Sequence, residues 1–112
     1  MHTEIEVIRK FKLTSKCKGY YLIPEAIEIA RNNYDHCLKI TKDVYPILSQ
    51  RHGVPYERIE RNIRYAIEKC WKNNRAFMEE IAGEELTTYP SNSEFLDMVV
   101  YWLENTTGDQ PS

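Results

Sequence analysis

In residues 57–71, ERIERNIRYAIEKCW, the apolar side chains Ile59, Ile63, Ile67 and then Cys70 and Trp71 recur at intervals of three or four positions among charged neighbours. That spacing belongs to a helix that buries one stripe and wets the rest. Because the stripe must face a core, the opposite face is predicted to carry Arg58, Arg61, Asn62, Tyr65, Glu68, Lys69 and Lys72, flanked by Glu60 and Arg64. Such a face is either a solvated surface laced with ion pairs or a surface that reads a charged partner.

The residues just before this helix narrow the choice. In YPILSQRHGVPYERIERNIRYAI a short helix is predicted to end at Gly53 and a longer one to run over about 55–73, the layout of a helix-turn-helix. Ser49 is small where the two helices would cross, and Gly53 permits a tight turn. Leu48, Val54, Ile59 and Ile63 supply the apolar contacts between them. Many helical hairpins would satisfy the same pattern.

The rest of the chain is also read as helical. Thr3 and Glu6 have capping-box spacing, after which Ile5, Ile8 and Phe11 keep a helical period. Gly19 falls in a loop. Ile23, Ala26, Ile27, Ala30 and Tyr34 then mark the buried stripe of a second helix, with Pro24 in its first turn. Residues 36–52 are interrupted by Pro46, which suits the start of a helix better than its middle, so a break is expected near Tyr45. A short helix over 76–82 is closed by Gly83, a polar turn containing Pro90 follows, and Ser91 with Glu94 opens a last helix running to about Asn105. The expectation is an all-α bundle of about six helices forming one domain, 1–106, with a frayed tail, 107–112. A chain of 112 residues with 42% hydrophobic content supports one such core. No apolar run resembles a signal sequence or reaches the roughly 18 residues of a membrane span, so a cytoplasmic protein with no membrane partner is expected.

Charge is distributed unevenly. Residues 1–38 hold six Lys/Arg against five Asp/Glu, residues 39–75 nine against four, and residues 76–112 none against eight. The net charge of -2 therefore hides a basic middle and an acidic end. Cys17, Cys37 and Cys70 are widely separated and form no close pair, and His2, His36 and His52 share no helix face, so no metal site is expected. No paired carboxylates, activated nucleophile or glycine-rich phosphate loop is apparent. Neither a cofactor nor enzymatic activity is expected.

A basic middle on a helix-turn-helix suits duplex DNA. Arginine can donate two hydrogen bonds to guanine O6 and N7, and a carboxylate can accept one from cytosine N4. Glu60 is informative because a helix that binds only phosphates gains nothing from a carboxylate. The plainer reading pairs Glu60 with Arg64 at i, i+4, worth roughly 0.2–0.5 kcal/mol. Candidate phosphate contacts are Lys16, Lys18, Lys39, Lys42, Arg51, Tyr65, Lys69 and Lys72, with Arg75 beside them.

Four stretches, KGYYLIPEAIEIA, ITKDVYP, RIERNIRYAIEKCW and SNSEFLDMV, resemble in order and spacing the C-terminal DNA-binding domain of the stage 0 sporulation protein A family of response regulators, from about Ile8 to Leu103. The resemblance implies a six-helix fold that binds a TGTCGAA-like box in double-stranded DNA, often as tandem copies, and regulates transcription. Its base contacts fall on Arg58, Glu60, Arg61 and Arg64. Two departures stand out. The chain begins almost at the first effector helix, so no receiver domain with a phosphoacceptor aspartate is expected; if Met1 is the native start, control would lie in expression level or a partner, an inference that lapses for an excised fragment. On the last helix, Trp102 stands where the family pattern has a lysine suited to a phosphate.

On that helix Phe95, Met98, Val99, Trp102 and Leu103 are assigned to the core. Leu96, Val100 and Tyr101 then form an outward apolar strip, a candidate interface for a homodimer on tandem sites, unless the helix is buried on two sides. The function expected is sequence-specific transcriptional regulation, with RNA polymerase a candidate partner. The alternative is a protein-binding module that keeps the fold and modulates a full-length regulator or RNA polymerase without binding DNA.

Overall fold

The computed structural model describes residues 3–33 and 39–106, and the regular elements among them are all helical. They are α1 (Glu4–Lys10), α2 (Leu22–Asn32), α3 (Ile40–Asp43), α4 (Tyr45–His52), α5 (Tyr56–Asn73), α6 (Arg75–Ala82) and α7 (Asn92–Thr106). The bundle of about six helices is all-α as expected, and the break expected near Tyr45 separates α3 from α4, with Val44 capping both. Pro46 is the second residue of α4, where its missing N–H removes no intrahelical bond. His2, Tyr34, His36, Cys37 and the tail 107–112 lie outside the described residues.

Both capping boxes form. Thr3 Oγ1 accepts from the Glu6 N–H at 3.3 Å while Glu6 Oε1 accepts from the Thr3 N–H at 3.0 Å. Ser91 and Glu94 repeat the exchange at 3.1 and 3.0 Å, opening α7. The end of α1 is tied to the end of α5 by two adjacent asparagines. Asn73 Nδ2 donates to the carbonyls of Phe11 and Lys12 at 3.0 and 3.2 Å, and Asn74 Nδ2 donates to that of Lys10 at 2.8 Å. Asn74 Oδ1 also accepts from the Phe77 N–H at 3.1 Å and so caps α6.

The core is built around α5, which packs against α2, α4, α6 and α7. Ile59, Ile63, Ala66, Ile67 and Cys70 are fully buried, each large aliphatic contributing about 1.5–3 kcal/mol. Burial drives the Cys70 thiol pKa well up, so it stays neutral and behaves as a small apolar residue. Phe11 lies 4.8 Å from Phe77 and 6.1 Å from Phe95, and Trp102 meets Phe77 edge-on at 5.4 Å. Trp102 is thus a core residue, as its place on the apolar face of the last helix implies. Trp71 is only partly buried, and Ile5 is 55% exposed because α1 buries the side formed by Val7, Ile8 and Phe11.

The outward strip on α7 does not exist. Leu96 and Val100 are 0% and 1% exposed, leaving Tyr101 alone at 59%. The helix is wedged against α2 as well as α5 and α6, so its second apolar row is covered from within the same chain. No apolar dimer interface remains on those residues.

Gly19 approaches the backbone of α5 closely. A Cβ on it would lie 2.1 Å from the Asn62 carbonyl oxygen and 2.8 Å from Ala66 Cβ. Only a bare α-carbon lets the 14–21 loop lie flush on the helix, which brings Lys16 and Lys18 to its flank. Gly19→Ala is therefore expected to cost about 1–3 kcal/mol, as overpacking against backbone does. Urea denaturation checks it; an unchanged midpoint would mean that the loop can lift away freely.

Candidate nucleic-acid interface

The connection between α4 and α5 is three residues long and held by one side chain. Gly53 adopts the left-handed conformation (φ 62°, ψ 34°) and its N–H donates to the Ser49 carbonyl. Ser49 Oγ in turn donates to the Val54 carbonyl at 2.6 Å. Ser49 is thus more than a small residue at a crossing, since its hydroxyl closes the turn. Pro55, extended at ψ 145°, presents its carbonyl to the N–H groups of Arg58 and Ile59 at 2.9 and 3.1 Å, and α5 starts there.

The packing of α5 sets what it presents. Arg58, Arg61, Tyr65, Lys69 and Lys72 are exposed, and Glu60, Arg64 and Glu68 are half-buried. Asn62 departs from expectation: it is only 8% exposed, because the loop carrying Gly19 covers its side of the helix. Among the described residues Arg58, Arg61 and Lys69 have no ion-pair partner. Glu60 and Arg64 do form the i, i+4 pair, and this hydrogen bond is the main reason the Arg64 pKa is raised. Lys72 reaches Glu68 at 3.3 Å.

Two basic shoulders flank the helix. On one side Lys18 and Tyr21 share a cleft with Arg58, Arg61 and Tyr65, and Lys12 and Lys16 continue it alongside Lys69. On the other, Ile40 lines a hollow with Glu60 and Arg64, which puts α3, bearing exposed Lys39 and Lys42, beside that edge. The predicted Lys16, Lys18, Tyr65 and Lys69 are therefore gathered with Arg58 and Arg61, whereas Lys39 and Lys42 border Arg64.

Two predicted cations are engaged elsewhere. Arg51 pairs with Glu25 of α2 at 3.1 Å, and the same carboxylate lies 3.0 Å from His52 Nε2. Arg75 stacks on Trp71 at 4.6 Å, donates to the Leu86 carbonyl at 2.6 Å and meets Glu79 at 3.3 Å. The Leu86 N–H, donating to Glu79 at 2.8 Å, is the main cause of that carboxyl's lowered pKa. Arg75 thus braces the chain after α6. Only its i, i+4 spacing to Glu79 was visible in sequence.

Sequence reasoning also missed Asn92. Buried at the start of α7, its Nδ2 donates to Tyr45 Oη at 2.8 Å and to the Glu60 carbonyl at 3.1 Å, joining α4, α5 and α7 behind the outer face. Burial raises the Tyr45 pKa, so its hydroxyl stays protonated.

A short helix, a glycine turn locked by a serine and a second helix with a cationic outer face make a helix-turn-helix domain. The family described as sporulation initiation factor Spo0A C terminal matches residues 5–103. The chain belongs to this family of DNA-binding effector domains. No helix among the described residues is long and apolar enough to cross a membrane.

Asn92→Ala would leave the Tyr45 hydroxyl and the Glu60 carbonyl buried with one donor fewer, at a cost of about 1–3 kcal/mol. Chemical denaturation of the variant measures it, and a loss near zero would reduce Asn92 to a bystander.

Proposed function

We propose that the protein binds duplex DNA sequence-specifically by laying α5 in the major groove, and that it regulates transcription in the cytoplasm. The observation that carries this reading is the pair Arg58 and Arg61, exposed without acidic partners among the described residues on a helix flanked by lysines on both sides. Arg58, Arg61 and Arg64 take the role of guanine readers, and Glu60 accepts from cytosine N4. The Glu60–Arg64 pair does not oppose this. A half-exposed i, i+4 pair on one helix is worth roughly 0.2–0.5 kcal/mol, less than the roughly 1–3 kcal/mol of discrimination a bidentate base contact supplies. Lys16, Lys18, Tyr65 and Lys69 would grip one strand's phosphates, and Lys39 and Lys42 the other's. A TGTCGAA-like box is the expected target. Tandem boxes would let two copies sit side by side through a surface other than Leu96 and Val100.

The second reading, docking on RNA polymerase or a full-length regulator, draws support from the groove between α6 and α7, whose lining includes Glu84, Glu94 and Asp97 but no lysine or arginine. DNA binding by the purified protein separates the two.

Selection from random duplexes should recover one preferred box. On it Arg61→Ala and Arg64→Ala each lose about 1–3 kcal/mol and relax preference at one base pair, while Glu60→Gln shifts preference at a cytosine more than total affinity. Equal losses on specific and random duplexes would make the arginines phosphate contacts only.

Salt provides an independent check. Log affinity should fall linearly with log salt, and neutralising Lys16 or Lys18 should each reduce the slope by about 0.9. A flat wild-type dependence would remove DNA as the partner.

A further inference from the structure

Two polar side chains among the described residues are buried, and they differ. Asn92 Nδ2 donates to two neighbours, whereas the side chain of Asn62, 8% exposed, has no hydrogen-bond partner among the described residues. Native proteins rarely leave a buried amide that way without a use for it. Asn62 lines the cleft of about 540 Å³ between α5 and the loop that Gly19 presses onto the helix. Being the buried member, it makes the floor, while Lys18, Tyr21, Arg58, Arg61 and Tyr65 are exposed and make the rim. The lining offers an ammonium, two guanidinium groups, two phenols and an amide, and includes no carboxylate. Donors gathered without an acid select an anion.

We propose that this cleft is a phosphate subsite, and that Asn62 Nδ2 donates there to a non-bridging oxygen of the DNA strand running past α5. The proposal rests on the reading of α5 as the helix that enters the groove. The major groove is about 12 Å wide and a helix with its side chains about 10–12 Å across, so the strands must run along the flanks of α5, where the cleft opens. Base edges face the outer tips of Arg61 and its neighbours, beyond the reach of a buried amide. A phosphate held there fixes the depth and register of α5 without reading sequence. Asn62 is thus a positioning residue, and its burial under the loop is what places its amide at that depth.

The test compares wild type, Asn62→Ala and Asn62→Asp by fluorescence anisotropy on the preferred and on a scrambled duplex, with methylphosphonate placed at one phosphate at a time across the box. Asn62→Ala should weaken both duplexes by on the order of tenfold, as loss of one hydrogen bond to a charged group does. Its base-preference profile should be unchanged and its melting temperature no lower than that of the wild type. Asn62→Asp should weaken binding further by setting a carboxylate against the phosphate. One methylphosphonate position should weaken the wild type and leave Asn62→Ala unaffected. If the wild type binds DNA but Asn62→Ala binds both duplexes equally well, or alters base preference, or no methylphosphonate position is silent in it, the subsite is refuted while α5 keeps its role. If the wild type binds no duplex, the reading of α5 fails and the subsite with it. Inorganic phosphate titrated against the side-chain amide resonance of Asn62 distinguishes the other source of the same anion. Weak, unsaturated shifts are expected, and saturable binding that Asn62→Ala abolishes would make free phosphate the occupant and overturn the assignment to DNA.

Discussion

The inner stripe of α5 is buried by four other helices at once, and most of what the molecule presents follows from that burial. With Ile59, Ile63, Ala66, Ile67 and Cys70 all removed from water, the rotation of α5 about its axis is fixed by several contacts of about 1.5–3 kcal/mol each. Turning the helix by one residue would expose several of them together. Arg58 and Arg61 therefore need no anchoring of their own: the helix beneath aims them, and among the described residues no acidic side chain engages them.

Polar side chains then hold α5 at both ends. At its start Ser49 closes the turn onto Val54, and Asn92 holds the Glu60 carbonyl from behind. At its far end Asn73 and Asn74 grip three successive carbonyls at the end of α1. Each bond contributes only about 1 kcal/mol, less than a core isoleucine. Their effect is geometric. The apolar core resists rotation of α5, while bonds at its two ends resist sliding along its axis, and the role proposed for α5 requires both. Gly19 adds the remaining constraint by bringing a lysine-bearing loop into backbone contact with the same helix.

Periodicity and local spacing were sufficient for much of this. The two capping boxes, the break near Tyr45, the turn at Gly53 and the Glu60–Arg64 pair all join residues within about one turn of each other, where spacing implies contact. The failures involve a third body. For Leu96 and Val100 the period gave the correct angle around α7, but no local pattern states that α2 lies on that side too. Asn62 was placed outward by its position and polarity, and is buried because a loop more than forty residues earlier in the chain covers it. Arg51 and Arg75 group with the candidate phosphate contacts by charge alone, because Glu25 lies 26 residues from Arg51 and the Leu86 carbonyl 11 from Arg75. The candidate site was legible as far as a single helix carries it, and its shoulders were not.

The same three-dimensional grouping resolves the apparent conflict between a net charge of -2 and a nucleic-acid partner. The two clefts on the Gly19 side of α5 bring together Lys12, Lys16, Lys18, Arg58, Arg61 and Lys69 with no carboxylate in their linings, whereas the groove between α6 and α7 gathers Glu84, Glu94 and Asp97 with no cation. At physiological ionic strength charges act over about 8 Å, a small part of a molecule 43 Å long. An approaching duplex would respond to the face nearest it and hardly at all to the sum. Encounter through α5 would then be attractive and encounter through the acidic groove repulsive, so the uneven charge that lowers the net value would also select the productive orientation.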